Sequence, residues 1–141
     1  MSPLEKRARL VFWSMCPAYF VYFAIQFGYP SLLQTMLERF AVLASVATVH
    51  AVIYVVGLLL IKRHENDEGP FADERDRAID AHATRVAYFV LLAGMTYVGM
   101  VLPFTRSGWE IVNAALLVIV LTETLRPALI LSGYRSPRFA H

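Results

Sequence analysis

The chain has 141 residues, 57% of them hydrophobic, with a mean hydropathy of +0.52 and a formal net charge of +2. This length supports one small domain, and a soluble domain of that size lacks the cover to bury several long apolar helices on every side. The single cysteine, Cys16, excludes an internal disulfide and a multi-cysteine metal centre.

Four apolar stretches, residues 10–29, 40–61, 86–104 and 111–131, fill most of the chain. A bilayer's hydrocarbon core needs about 20 apolar residues at helical rise, and each stretch is close to that length. Within lipid a helix satisfies its own backbone groups while its apolar side chains face the tails. The predicted fold is therefore all-α: an integral membrane four-helix bundle forming one transmembrane domain.

The first stretch follows Lys6, Arg7 and Arg9. It is rich in Phe and Tyr and ends without a small-x-small cleavage pattern, which predicts a retained helix and not a cleaved signal peptide. Trp13 and Tyr29 stand where interfacial aromatic residues are expected. Cys16, ahead of Pro17, reads as a small buried apolar residue and not as a metal ligand. After Tyr29 the loop PSLLQTMLER is expected to form a short helix along the headgroups, capped by Ser31.

The second stretch carries small residues at helix-packing spacing, Ala41 with Ser45 and Ala47 with Ala51, which predicts a close-packed face. His50 falls near its middle. The loop that follows begins KRHENDEGP, and its charge and Gly69-Pro70 break the helix. Next comes ADERDRAIDAHATR, running without interruption into VAYFVLLAG. Asp73 is the expected N-cap, and Glu74 and Asp76 occupy a first turn where the helix dipole favours negative charge. The third helix is thus expected to start near Ala72 and to extend about three turns before entering lipid. His64, Glu65, Asp67, Glu68, Asp80 and His82 show no metal-ligand spacing, so this acidic region reads as a solvated surface with no metal and no cofactor.

The short loop TRSGW turns the chain into the fourth stretch, with Trp109 at its outer start and Tyr134 beyond its inner end, both expected in the aromatic belts. This stretch holds Glu123, Arg126 and Pro127. A central acidic or basic residue costs about 2.5–3.5 kcal/mol on insertion scales, and each Leu, Ile or Val returns about 0.3–0.6. Alone the helix inserts marginally, so it needs bundle partners. Arg126 lies about 7 Å from the cytoplasmic end and can snorkel, whereas Glu123 lies about 12 Å deep. Pairing of Glu123 with Arg126 three residues on is the favoured compensation, with protonation as the alternative. Pro127 lacks the N–H that would bond the Glu123 carbonyl. Glu123, Arg126 and His50, with Tyr19, Tyr22, Thr96 and Tyr97 at similar depth, form the candidate intramembrane polar cluster, with a structural role favoured over a functional one.

Orientation follows from the basic residues. Lys6, Arg7, Arg9, Lys62, Arg63, Arg75, Arg77, Arg85, Arg135 and Arg138 fall on one side and only Arg39 and Arg106 on the other. That bias predicts cytoplasmic termini and a cytoplasmic segment 62–85 in a multi-pass protein of the cell membrane. It also accounts for the positive charge without a nucleic-acid surface.

DERDRAIDAHATRVAYFVLLAG resembles the DERD-type signature of a family of small prokaryotic membrane proteins with four helices, whose activity is not established. The similarity is strongest over residues 73–94. It implies a membrane location and a four-helix architecture, and it marks Asp73, Glu74, Arg75, Asp76, Arg77 and Arg85 as the distinguishing cytoplasmic feature.

No phosphate loop, nucleophile elbow or HExxH motif is present, so an enzyme is not expected. The favoured function is docking or regulation, in which the charged cytoplasmic helix binds a protein partner or another copy of the chain. The alternative is an oligomeric proton-coupled carrier that uses the Glu123, Arg126 and His50 cluster.

Overall fold

The computed structural model describes residues 2–65 and 74–135, and these are all-helical with no strand. The helices are α1 (Pro3–Gly28), α2 (Met36–Glu65), α3 (Glu74–Met100) and α4 (Gly108–Arg135), with short 3-10 turns at Pro30–Leu32 and Leu102–Phe104. All four helices are long and apolar enough to cross a membrane. The chain divides into two compact units, Met1–Ala8 with Phe71–His141, and Arg9–Pro70.

Local chemistry sets the helix starts. Ser2 caps α1, its hydroxyl accepting the Glu5 N–H at 3.2 Å. At α2 the Thr35 hydroxyl accepts the Glu38 N–H at 3.2 Å, and the Glu38 carboxylate accepts the Thr35 and Gln34 N–H groups, each at 2.9 Å. This reciprocal box, T-x-x-E, satisfies donors that a helix start otherwise leaves orphaned. Ser31 therefore does not cap a helix along the headgroups. It lies in the 3-10 turn that Pro30 opens, and Thr35 takes the capping role. At α4 the Glu110 carboxylate accepts the Ser107 N–H at 2.9 Å and its hydroxyl at 3.1 Å. α3 begins at Glu74, with Glu74 and Asp76 in its first turn. The expected cap, Asp73, lies outside the described residues, as do Asp67 and Glu68.

In the unit of residues 9–70, α1 and α2 run antiparallel. Gly57 lies directly against the Leu10 side chain, which occupies the space a Cβ would need. Tyr19 meets His50 edge-on at 5.6 Å between ring centroids. None of residues 36–63 is buried. The predicted small-residue face of α2 is therefore not packed: Ala41, Ser45 and Ala51 are exposed, and the Ser45 hydroxyl donates back to the Ala41 carbonyl at 2.7 Å. Cys16 is likewise exposed, contrary to the expectation of a buried apolar residue.

In the other unit, α3 and α4 form an antiparallel hairpin. α3 buries Asp76, Ile79, Ala83 and Ala87, a stripe at helical period. Two close approaches set the register. A Cβ on Gly94 would lie 2.5 Å from Val118 Cγ1, and one on Gly133 would lie 2.8 Å from Ile79 Cγ2. Ile79, Ala83 and Ile130 form a buried core with Ala8 of α1, and Leu4, Leu129, Leu131 and Tyr134 pack around it. The start of α1, the start of α3 and the end of α4 thus meet in one small three-helix cluster.

Candidate functional site

The charged start of α3 divides into an inward and an outward half. Asp76 is buried at 6% exposure, and it belongs to the stripe that faces α4. Such a carboxylate needs a donor, and Tyr134 supplies it: the phenol lies 2.5 Å from Asp76 Oδ1. The Ser2 hydroxyl lies 2.6 Å from the same phenol oxygen. An ionised carboxylate only accepts, so Tyr134 spends its single proton on Asp76 and Ser2 must donate to Tyr134. The result is a directed chain from the Glu5 N–H through Ser2 and Tyr134 to Asp76, which ties together the ends of three helices.

Arg75 closes this knot from above. Its Nη2 donates to the Tyr134 carbonyl at 3.1 Å, and its guanidinium carbon sits 5.7 Å from the centroid of the Tyr134 ring. That is cation–π distance. Tyr134 is therefore an internal anchor joining the ends of three helices. Glu74, Arg77 and Arg85 remain exposed on the far side of α3. Of the charged residues singled out from sequence at the start of α3, Arg75 and Asp76 are committed inside the fold, while Glu74, Arg77 and Arg85 form an outward face.

Arg126 has a partner other than the one expected. Its Nη2 donates to Asp80 Oδ1 on α3 at 3.0 Å, and the two side chains keep 44% and 38% exposure. The Glu123–Arg126 pair within one helix is therefore not formed. An antiparallel neighbour carries an acid on the side toward which the long Arg126 stem extends, and Asp80 competes successfully. Glu123 is exposed, and among the described residues no side chain pairs with it. α4 runs through Pro127 to Arg135 without a break. His50 belongs to the other unit, where it is half-buried between the rings of Tyr19 and Tyr54. The hydroxyls of Thr96 and Thr122 are spent within their own helices, on the Leu92 and Val118 carbonyls at 2.7 and 2.8 Å.

Tyr134, Ser2 and Asp80 are the polar residues that sequence reasoning did not assign to a site. Asp80 stands one helical turn after Asp76 and so continues the α4-facing side of α3, a placement readable once the buried stripe is known. Nothing local marks Ser2 or Tyr134. No protein family, curated protein or solved structure matches this chain.

Proposed function

We propose that this is a small multi-pass protein of the cell membrane, with both termini in the cytoplasm and a non-enzymatic docking or regulatory role. The apolar side chains exposed along α2, among them Val52, Val55, Val56, Leu59 and Leu60, favour lipid as the solvent. The ten-to-two distribution of basic residues supports the orientation. The resemblance of residues 73–94 to the DERD-type membrane family accords with this placement.

One observation carries the docking reading. The start of α3 is held rigid by the Ser2–Tyr134–Asp76 chain, and it presents an unspent charged face on its other side. Glu74, Arg77, Ala78, Ala81 and Arg85 are all exposed and fall on that face at helical spacing. A preorganised helix with two arginines flanking small residues suits an acidic segment of a protein partner. The carrier alternative has less support, because Arg126 is engaged with Asp80 and the threonine hydroxyls with their own helices.

The test is co-purification in mild detergent. Arg77→Glu with Arg85→Glu should abolish recovery of a bound partner while membrane insertion is retained. Reporter fusions at residues 68 and 107 should read cytoplasmic and external, respectively. Retention of the partner by the double variant, or a cytoplasmic signal at residue 107, overturns the corresponding half of the reading.

A further inference from the structure

The contacts where α3 starts and α4 finishes fall into two sets. One set joins the two helices directly: Tyr134 with Asp76, Arg75 with the Tyr134 carbonyl, Arg126 with Asp80, and Ile79 against Gly133. The other set comes from residues 2–8, through the Ser2 hydroxyl on Tyr134 and the side chains of Leu4 and Ala8. The first set closes the hairpin by itself. Residues 2–8 are therefore laid over a hairpin whose register does not depend on them.

What they cover is apolar. Ile79 is 1% exposed, Ala83 0% and Ile130 3%, and Ala8 completes the cluster. The apolar hold on this cover is light. Within residues 2–8 only Ala8 is fully buried, and its methyl group removes little area from water, while Leu4 is partly buried. The segment precedes the apolar stretch at 10–29 and carries Glu5, Lys6 and Arg7, side chains that water solvates readily when a helix start opens. A light cover on a self-sufficient hairpin has two discrete states, docked and released.

We propose that residues 2–8 are a detachable strap whose docking sets the binding competence of the charged face of α3, an inference that rests on the docking reading above. Docked, Ser2 donates to Tyr134 and Tyr134 to Asp76, and the first two turns of α3 are held with Glu74, Arg77, Ala78, Ala81 and Arg85 in place on their other side. Released, the hairpin stays closed, but Ile79 and Ala83 lose their cover and Tyr134 loses the Ser2 hydrogen bond. The start of α3 must then be ordered at the moment of binding, which weakens the hold on a partner. The two equilibria are linked, so a bound partner also favours the docked strap.

Thiol alkylation in mild detergent tests this on the full chain in a Cys16→Ser background. Ala83→Cys reports on the covered cluster, and Ala87→Cys, one turn on, reports on the α3 stripe outside it. Ala8→Glu should speed alkylation by iodoacetamide at residue 83 about tenfold and Ser2→Ala about fivefold, as the open fraction rises, with the rate at residue 87 unchanged. In Ala8→Cys with Ala83→Cys, oxidation should join the strap to α3. The oxidised chain should keep its partner at the wild-type level, whereas Ala8→Glu should recover about tenfold less with Arg77 and Arg85 intact. No acceleration at residue 83, equal acceleration at 83 and 87, a cysteine pair that does not oxidise, or partner recovery unchanged by Ala8→Glu each overturns the proposal. A partner that survives Arg77→Glu with Arg85→Glu defeats the docking reading instead, and leaves the alkylation rates as they stand.

Discussion

Arg126 on α4 reaches Asp80 on α3 across 3.0 Å, and the two residues are 46 positions apart in the chain. The pair pins the end of the hairpin where α3 starts and α4 finishes on one flank, while Tyr134 and Asp76 pin it on the other. Both contacts join the same two helices about one turn apart on α3, so they resist sliding and rotation together. A long guanidinium stem lets Arg126 sit deeper than the acid it serves and still place its charge near Asp80.

A double-mutant cycle on this pair should show a modest coupling. Asp80→Asn, Arg126→Leu and the double variant, compared by thermal unfolding in detergent, should give an interaction energy of about 0.5–1 kcal/mol, since both side chains are partly exposed and screened. A coupling of zero would mean that the ion pair does not hold the hairpin register.

Tyr134→Phe should be more damaging than Ser2→Ala. The first leaves the buried Asp76 carboxylate without its phenol donor and should cost about 2 kcal/mol, the second about 1 kcal/mol. The phenol also predicts a response to alkali. Tyr134 lies three residues beyond the last apolar stretch. Burial first, then its hydrogen bond to Asp76, raises its pKa from 10.0 to about 12. The folded protein thus holds this proton more tightly than the unfolded chain does. The resulting stability is complete below pH 10 and is lost as pH rises through about 12. Unfolding temperatures measured across that window should fall more steeply for wild type than for Tyr134→Phe, and parallel curves would contradict the assignment.

Gly94→Ala should destabilise the hairpin in spite of alanine's better helix propensity. The added methyl would fall 2.5 Å from Val118 Cγ1, and a β-branched side chain has little freedom to withdraw. Overpacking of this kind costs about 1–3 kcal/mol, against about 1 kcal/mol gained from replacing glycine in a helix. Val118→Ala in the same background should recover most of the loss in detergent unfolding. Failure to recover would place the strain elsewhere.

Much of this architecture is written locally. Four helices of membrane-crossing length follow from apolar runs, because hydrophobic length is a property of consecutive residues. The capping box Thr35–Glu38 is equally local and closes within three residues, as does the Glu110 carboxylate on the Ser107 N–H and hydroxyl. The division of the DERD segment was not readable: Glu74 to Arg77 are four successive charged residues, and only packing against α4 turns Arg75 and Asp76 inward and leaves Glu74 and Arg77 outside. The same holds for Arg126, where sequence spacing favours Glu123 and the fold supplies Asp80. Runs of consecutive apolar residues alone determined the four helices of membrane-crossing length. The tertiary structure decided which charges are spent and which remain, because those pairings join residues as far apart as Ser2 and Tyr134, and they depend on a hairpin register set by the close approaches at Gly94 and Gly133.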